Sequence, residues 1–291
     1  MFAAVSKPFY IYSAGITIIG GGYILRDYLS GELYENDKKL TDKVIIVTGA
    51  NTGIGKEIAR DLAKREAKVI MACRDMEKCE NTRRDIVVES RNKYVYCRPC
   101  DLASQKSIRD FAEQFKKEHK KLHILINNAG VMRCPKMYTQ EGIELQFGVN
   151  HIGHFLLTNL LLDTLKDSAP SRIVNVSSSA HKRGKIKFDD LNNEKTYENW
   201  CYSECRPSWY STNRNNIGCR YTYMVIYENT YKGSAICFIC YPIYNAMLKY
   251  IVTYSCYSNN KVAEVSNEAK NDRVVKWLWA VSEKWAKLDS V

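Results

Sequence analysis

The sequence predicts an α/β fold, a doubly wound parallel sheet with helices on both faces, preceded by a hydrophobic N-terminal segment. Three observations predict it. Short β-branched runs recur from residue 43 to residue 177, apolar enough to be buried on both faces as parallel strands are. Amphipathic stretches separate them, which is the spacing of strand–helix–strand crossovers and not of hairpins. A glycine cluster follows the first run, where the chain turns into a helical pattern. With 291 residues, 45% hydrophobic and 26% charged, the chain can bury a core, which excludes a disordered or collagen-like polymer. The expected organisation is an N-terminal anchor over 1–30 and one domain over 40–291.

The formal charge of +11 is spread out. Residues 1–198 carry +7, residues 199–258 carry +3 (five Lys/Arg against two Asp/Glu) and the remainder carries +1. No block of five or six like charges occurs, so nucleic acid is not an expected partner.

The N-terminal segment runs uncharged over 18 residues, Pro8 to Leu25, of which 11 are apolar. As a helix it would span roughly 27 Å against a hydrocarbon core of about 30 Å. Gly15, Gly20, Gly21 and Gly22 weaken that pattern. A cleaved signal peptide would show a basic start and a small-residue cleavage site, and neither is clear. A buried core helix is the plain alternative. The expectation is a single membrane anchor.

The elements then follow in order. Lys43–Thr48 reads as a buried strand and runs into Gly49-Ala-Asn-Thr-Gly53-Ile-Gly55, then into a helix from about Ile54 to Lys64. Glycines here let the backbone turn sharply and approach a pyrophosphate, and the helix N-terminus offers free N–H groups and the positive end of its dipole. Asn51, Thr52 and Ile54 belong to the same loop. The spacing is G-x-x-x-G-x-G and not G-x-G-x-x-G. The second strand, Ala67–Cys73, ends at Arg74-Asp75. An acid there suits the ribose hydroxyls of NAD and an arginine suits the 2′-phosphate of NADP, so Arg74 favours NADP(H). Tyr94–Cys97 is the third strand, ending near Asp101 and Leu102. Ser104 is a plausible N-cap for a helix whose apolar face is Ile108, Phe111, Ala112 and Phe115. Leu122–Ile126 is the fourth strand, ending in Asn127-Asn128-Ala129-Gly130. A long helical pattern covers about Glu141 to Leu165, and Ser171–Ser177 is the fifth strand, ending at Ser178. Ligands of such sheets bind beyond the carboxyl ends of the strands, where Gly49, Asp101, Asn128 and Ser178 all lie.

These motifs, Thr48-Gly-x-x-x-Gly-x-Gly, Asn127-Asn-Ala-Gly, Asn150-His-x-Gly-His-Phe155 and Val176-Ser-Ser178, resemble those of the short-chain dehydrogenases/reductases. Ala72-Cys-Arg-Asp-Met76, Ile126-Asn-Asn-Ala-Gly-Val-Met132, Gln146-Phe-Gly-Val-Asn-His151 and Ile24-Leu-Arg-Asp-Tyr28 are similar to the retinol dehydrogenases within that family. The resemblance covers roughly 20–198 and resumes weakly over 259–291, where Val274, Leu278, Val281 and Trp285 make one face of a final helix. It implies a Rossmann-like fold and hydride transfer between NADP(H) and a small-molecule aldehyde or alcohol, retinoid-like or lipid-derived. It also implies Ser178 as the hydroxyl that bonds the substrate oxygen and Asn150 as the holder of a water on the proton path. The similarity favours the mitochondrial inner membrane over the endoplasmic reticulum. His151 and His154 are expected to be packing or surface residues.

The family pattern breaks at its acid. The resemblance implies Tyr-x-x-x-Lys on the next helix, both side chains on one face. No such pair exists between 179 and 220. The nearest is Tyr202-Ser-Glu-Cys-Arg206, followed by Pro207, which disfavours a helical Arg206 unless a helix begins there. An arginine is bulkier than lysine and shaped differently, so the exchange is not conservative.

That pair sits in an unusual block. Residues 199–258 hold 11 of the 20 Tyr and 6 of the 11 Cys, with one Leu, two Ala and two Gly. The odd Cys count, and Cys positions inside apparent strands and helices, predict neither a disulfide framework nor a metal site, in spite of Cys97-x-x-Cys100 and Cys237-x-x-Cys240. The block resembles translation of AT-rich DNA in a shifted frame or of a retained intron. The nucleotide sequence over codons 195–262 checks this, and native peptides from one frame across the block would refute it.

Overall fold

The computed structural model describes residues 17, 20–22, 38–132, 134–177, 186–195, 256–258, 261–263 and 271–288. It divides into two compact units, Met1–Glu35 and Asn36–Val291. In the first, Thr17 and Gly20 to Gly22 are helical and exposed. The rest of the expected anchor, Pro8 to Leu25, lies outside the described residues. Among those described, no helix is long and apolar enough to cross a membrane.

The second unit is built on five parallel strands: β1 (Val44–Thr48), β2 (Lys68–Cys73), β3 (Val95–Pro99), β4 (Ile124–Asn127) and β5 (Arg172–Asn175), in the spatial order β3-β2-β1-β4-β5. Ile46 lies opposite Ile70 on one side and Leu125 on the other. The order reverses direction at β1, so β1 and β4 flank the switch point where such sheets hold ligands.

Side chains alternate along each strand and supply two cores. On one face Ile46, Ile70 and Leu125 meet Ile108, Phe111 and Phe115 of α3 (Gln105–Glu118) and Phe155 and Leu161 of α5 (His154–Lys166). On the other, Ile45, Val47, Val69 and Met71 meet Ile58 and Leu62 of α1 (Gly53–Lys64) and Cys79 and Ile86 of α2 (Met76–Ser90). Burying each Ile, Leu or Phe contributes about 1.5–3 kcal/mol before conformational entropy is subtracted. The doubly wound arrangement expected from the sequence is therefore present, with strand bounds shifted by one or two residues.

Three elements differ from expectation. Helix α2 has no clear sequence signal, because only Cys79, Thr82 and Ile86 of its 15 residues are buried. The long helix expected from Glu141 begins instead at Leu145. The Glu144 carboxylate accepts from the backbone N–H of Gln146 (3.0 Å) and Phe147 (2.8 Å) and so caps the helix there. Upstream, Tyr138 and Glu144 pair as an isolated antiparallel bridge. One α-helical turn (α4, Leu145–Phe147) passes into a π-helical turn over Gly148–Gly153 before α5 resumes regular geometry. At Gly148 a β-carbon would stand 2.3 Å from the Thr139 methyl, so the widened turn packs against the neighbouring loop only because no side chain intervenes.

The third difference concerns cysteine. Cys79 on α2 and Cys97 on β3 form a disulfide, with Cα atoms 6.0 Å apart, against the expectation of none. A separation of 18 residues carries no local motif; the pairing exists because the buried stripe of α2 lies over β3. Cys97 is thus bonded away from Cys100, whose buried thiol stays free and is pushed up to about 12 by desolvation first and Asp101 second.

Beyond the sheet come β6 (Cys256–Ser258) paired antiparallel with β7 (Lys261–Ala263), and α6 (Asp272–Ala286). Of the expected apolar face of α6, Val274 and Leu278 are buried, and Val281 and Trp285 are partly buried.

Candidate active site

The site is assembled at the carboxyl ends of β1, β2 and β4. Asp75, Ser104 and Asn271 cap α2, α3 and α6 by accepting backbone N–H groups, as expected for Ser104. Helix α1 differs from these three. Thr52 stands at its N-cap without a side-chain capping bond, and no acidic residue lies in its first turn. The first N–H groups of α1 and the positive end of its dipole are therefore left for an anion. Gly53 opens that turn at φ +53°, with nothing within 4 Å of where a β-carbon would point. At Gly55 a β-carbon would lie 2.3 Å from the Gly49 carbonyl oxygen and 2.5 Å from Asn128 Nδ2. Asn51 of the same loop accepts at its carbonyl from Thr82 Oγ1 (2.9 Å), and Ile54 packs against the core behind α1. A loop of this form, an uncapped helix end over an open glycine, fits the pyrophosphate of a dinucleotide.

A knot of hydrogen bonds joins that loop to the end of β4. Thr48 Oγ1 accepts from the backbone N–H of Asn128 (2.9 Å) and Ala129 (3.0 Å). Asn128 Nδ2 donates back to the Thr48 carbonyl at 2.8 Å and lies 3.4 Å from the Gly49 carbonyl. Below it, Asn127 Nδ2 donates to Asn175 Oδ1 (2.8 Å) and Thr158 Oγ1 (3.1 Å), tying β4 to β5 and α5.

The π-helical turn delivers Asn150 to the same place. Its Oδ1 accepts from the Val131 N–H and its Nδ2 donates to the Val131 carbonyl, both at 2.8 Å, which clamps the Gly130-Val131 backbone beyond β4. His151 and His154 lie in or beside this turn and are buried. His154 Nε2 is 2.9 Å from Thr48 Oγ1, and its Nδ1 is 3.2 Å from the Asn150 carbonyl oxygen. His151 Nε2 is 2.8 Å from Ser282 Oγ on α6. Burial pushes His151 down to about 3 and His154 to about 4, so both are neutral at physiological pH.

Arg74 is exposed at the end of β2. Its neighbour Asp75 is engaged as the cap of α2, accepting from the Lys78 N–H at 3.0 Å and pairing with Lys78 Nζ at 3.0 Å. The Lys78 N–H, then its side chain, holds the Asp75 carboxyl below the ordinary carboxylate range. Asp101 turns its carboxylate onto the Ala103 N–H (3.0 Å), and Leu102 is buried beside it. The structure thus gathers Gly49, Asn51, Thr52, Gly53, Ile54, Gly55, Asn128, Ala129, Gly130 and Asn150 around the ends of β1 and β4, with Arg74 at the end of β2 and Asp101 and Leu102 beyond β3. Ser178, Tyr202 and Arg206 lie outside the described residues. Sequence reasoning left Thr48 and His154 out of the site; a hydroxyl ending a buried strand and a histidine four residues after Asn150 were the available signals.

An uncapped, glycine-floored helix end thus lies at the switch point of a parallel α/β sheet, the place where such sheets hold ligands. The short chain dehydrogenase family model matches residues 43–189, and the chain belongs to that family. Human retinol dehydrogenase 13 is 57% identical over 176 residues, covering 60% of this chain and 53% of the relative. The match therefore spans about half the length of that relative. Human retinol dehydrogenase 11 is 40% identical over 303 aligned residues, covering 94% of this chain and 93% of the relative. A crystal structure of an uncharacterized protein from Mycobacterium paratuberculosis superposes with a TM-score of 0.58 at 27% identity, over 86% of this chain and 95% of that one.

Proposed function

We propose that the chain is an NADP(H)-dependent oxidoreductase that interconverts a retinoid-like or lipid aldehyde and its alcohol by hydride transfer. One observation carries the cofactor part of this reading: α1 presents an uncapped N-terminus over Gly53, whereas α2, α3 and α6 are each capped by a side chain. In this reading Gly49, Gly53, Ile54 and Gly55 hold the pyrophosphate, and Arg74 takes the 2′-phosphate because Asp75 is occupied as a helix cap. Asp101 and Leu102 flank the adenine end, and Asn128 to Gly130 back the nicotinamide end. The bound nicotinamide supplies or accepts the hydride. The chain's own part is to hold the carbonyl and move a proton: Ser178 donates a hydrogen bond to the substrate oxygen, and a tyrosine hydroxyl protonates it. A tyrosine at its free pKa of about 10 needs a neighbouring cation for this work near neutral pH. Tyr202 with Arg206 is the pair available. The substrate class rests on similarity to the retinol dehydrogenases, as does a place on the mitochondrial inner membrane, with the endoplasmic reticulum as the alternative.

The absence of Tyr-x-x-x-Lys between 179 and 220 favours a second reading, in which the chain binds NADP(H) and does not turn over. Full-length protein titrated with NADPH and NADH, then mixed with all-trans-retinal, separates the two. Tight NADPH binding with turnover that falls about 10²–10⁴-fold in Tyr202→Phe supports the first. Binding without turnover selects the second. Arg74→Ala is expected to weaken NADPH about 10–100-fold and leave NADH unchanged, the worth of a charge-assisted hydrogen bond. Equal losses for both cofactors would remove Arg74 from the 2′-phosphate site.

A further inference from the structure

We infer that His154 is a positioning residue of the cofactor site, a buried imidazole that fixes the Thr48 hydroxyl on one side and the Asn150 backbone on the other. The inference rests on the cofactor reading above and on four distances.

The hydrogen-bond roles follow from the partners. The Asn150 carbonyl can only accept, so His154 Nδ1 carries the proton and donates across 3.2 Å. Nε2 is then a lone-pair acceptor, and the Thr48 hydroxyl donates to it across 2.9 Å. With its proton directed there, Thr48 Oγ1 turns its lone pairs to the N–H groups of Asn128 and Ala129. The alternative acceptor for the Thr48 proton, the Ile126 carbonyl, is farther away at 3.4 Å. Thr48 and His154 are 1% and 3% exposed, so water does not replace any of these bonds cheaply.

The knot that His154 anchors has two ends, and both border the proposed cofactor site. At one, Asn128 Nδ2 reaches back to the Thr48 carbonyl and sets the start of the glycine loop. At the other, Asn150 grips Val131 by both atoms of its carboxamide. One imidazole therefore touches both the hydroxyl that orders the end of β4 and the turn that carries Asn150. Its acceptor edge toward Thr48 orders the amides of Asn128 and Ala129, and its donor edge only steadies the π-helical turn that carries it.

Amide substitutions separate the two edges. In His154→Gln the side-chain amide reaches the place of Nε2 and keeps an acceptor for Thr48. In His154→Asn it reaches the place of Nδ1 and keeps only the bond to Asn150. The full-length variants, with His154→Leu, are titrated with NADPH at a temperature well below each one's own unfolding midpoint. Amide hydrogen exchange is followed at Asn128, Ala129 and Ile46. The expected result is NADPH affinity within about threefold of the parent for Gln, and about tenfold weaker binding for Asn and Leu, the affinity equivalent of one net hydrogen bond. Exchange at Asn128 and Ala129 quickens in Asn and Leu, while Ile46 is unmoved. If Leu fails to fold, the Gln–Asn contrast carries the result alone. Parent-like affinity and exchange in Asn overturn the inference, and so does a Gln variant that loses as much as Asn. If the parent chain does not bind NADPH, the cofactor reading fails and the exchange rates alone decide the role of His154.

Discussion

Gly53 and Gly55 stand two residues apart in the first turn of α1 and are held to glycine by different forces. Gly55 has neighbours where a side chain would go: the Gly49 carbonyl oxygen at 2.3 Å and Asn128 Nδ2 at 2.5 Å. Both are fixed, one by backbone and one by its bonds to β1, so neither yields as a flexible side chain would. Gly55→Ala is expected to cost about 1–3 kcal/mol by overpacking and to weaken NADPH binding with it. Gly53 has open space and a left-handed backbone, so Gly53→Ala costs only about 1–2 kcal/mol of backbone strain. Thermal unfolding of the two variants checks the order; equal midpoints would show that the Gly49–Asn128 contact is not tight. The buried histidines give a second prediction at this scale. His151 and His154 have folded pKa values of about 3 and about 4, below the unfolded value near 6.5. Between those limits the unfolded chain binds more protons, so stability is full above about pH 6.5 and falls as pH drops toward 4. Each histidine adds a slope of at most about 1.4 kcal/mol per pH unit. His119 and His123, also lowered chiefly by burial, act in the same direction. Urea unfolding at pH 7, 6 and 5 measures the slope, and His154→Gln should reduce it; a flat profile would mean that the histidines are solvated.

Among the elements, α1 is the helix whose stability and function pull apart. Its N-terminus is left without a side-chain cap and without acidic residues, which is favourable for an anion and unfavourable for the isolated helix. Thr52→Asp supplies both missing features. The variant is expected to gain about 0.5–1 kcal/mol in stability and to lose NADPH affinity about tenfold or more, because the carboxylate takes the N–H groups and repels the pyrophosphate. Calorimetry and a cofactor titration on the same sample test the trade. A variant that is stabilised and binds NADPH as before would place the phosphates elsewhere. This is also where the sequence was most readable. The first strand, the glycines and α1 announce themselves because each residue type there has one local physical cause. The start of the next long helix was harder to read: the Glu141–Leu165 pattern is continuous in hydrophobicity, and only the capping bonds of Glu144 and the packing of Gly148 on Thr139 show where α-helical and π-helical geometry begin. Helix α2 and the Cys79–Cys97 bond were hidden for a related reason. Both depend on which face of a polar helix lies over β3, and no residue near either cysteine encodes that.

Across the whole molecule, the block 199–258 shows no clear amphipathic helix pattern, so its composition was legible and its structure was not. The described residues on both sides of it nevertheless contact the same unit. Before it, the Glu144 N–H donates to Asn192 Oδ1 at 2.7 Å, and Phe188 meets Trp277 edge to face at 4.7 Å. After it, α6 returns to the face of the sheet covered by α3 and α5. Trp279 packs edge-on to Phe155 at 4.9 Å, Trp285 to Phe147 at 5.5 Å, and Ser282 meets His151. From α3, Arg109 donates to the carbonyls of Ala286 and Lys287, both at 3.0 Å, closing the C-terminal end of α6 against the negative pole of its dipole. If α6 shares the core in this way, it cannot open separately from α5. Trp279→Ala removes the ring that covers the fully buried Phe155 and is expected to cost about 3 kcal/mol. That loss should lower amide protection at Ala286, Phe155 and Leu125 by the same factor, since the three belong to one cluster. Native-state hydrogen exchange on the parent and the variant reads those positions separately. A variant in which only α6 loses protection would show a helix docked on a finished domain, and the core described here would have to be divided at α5.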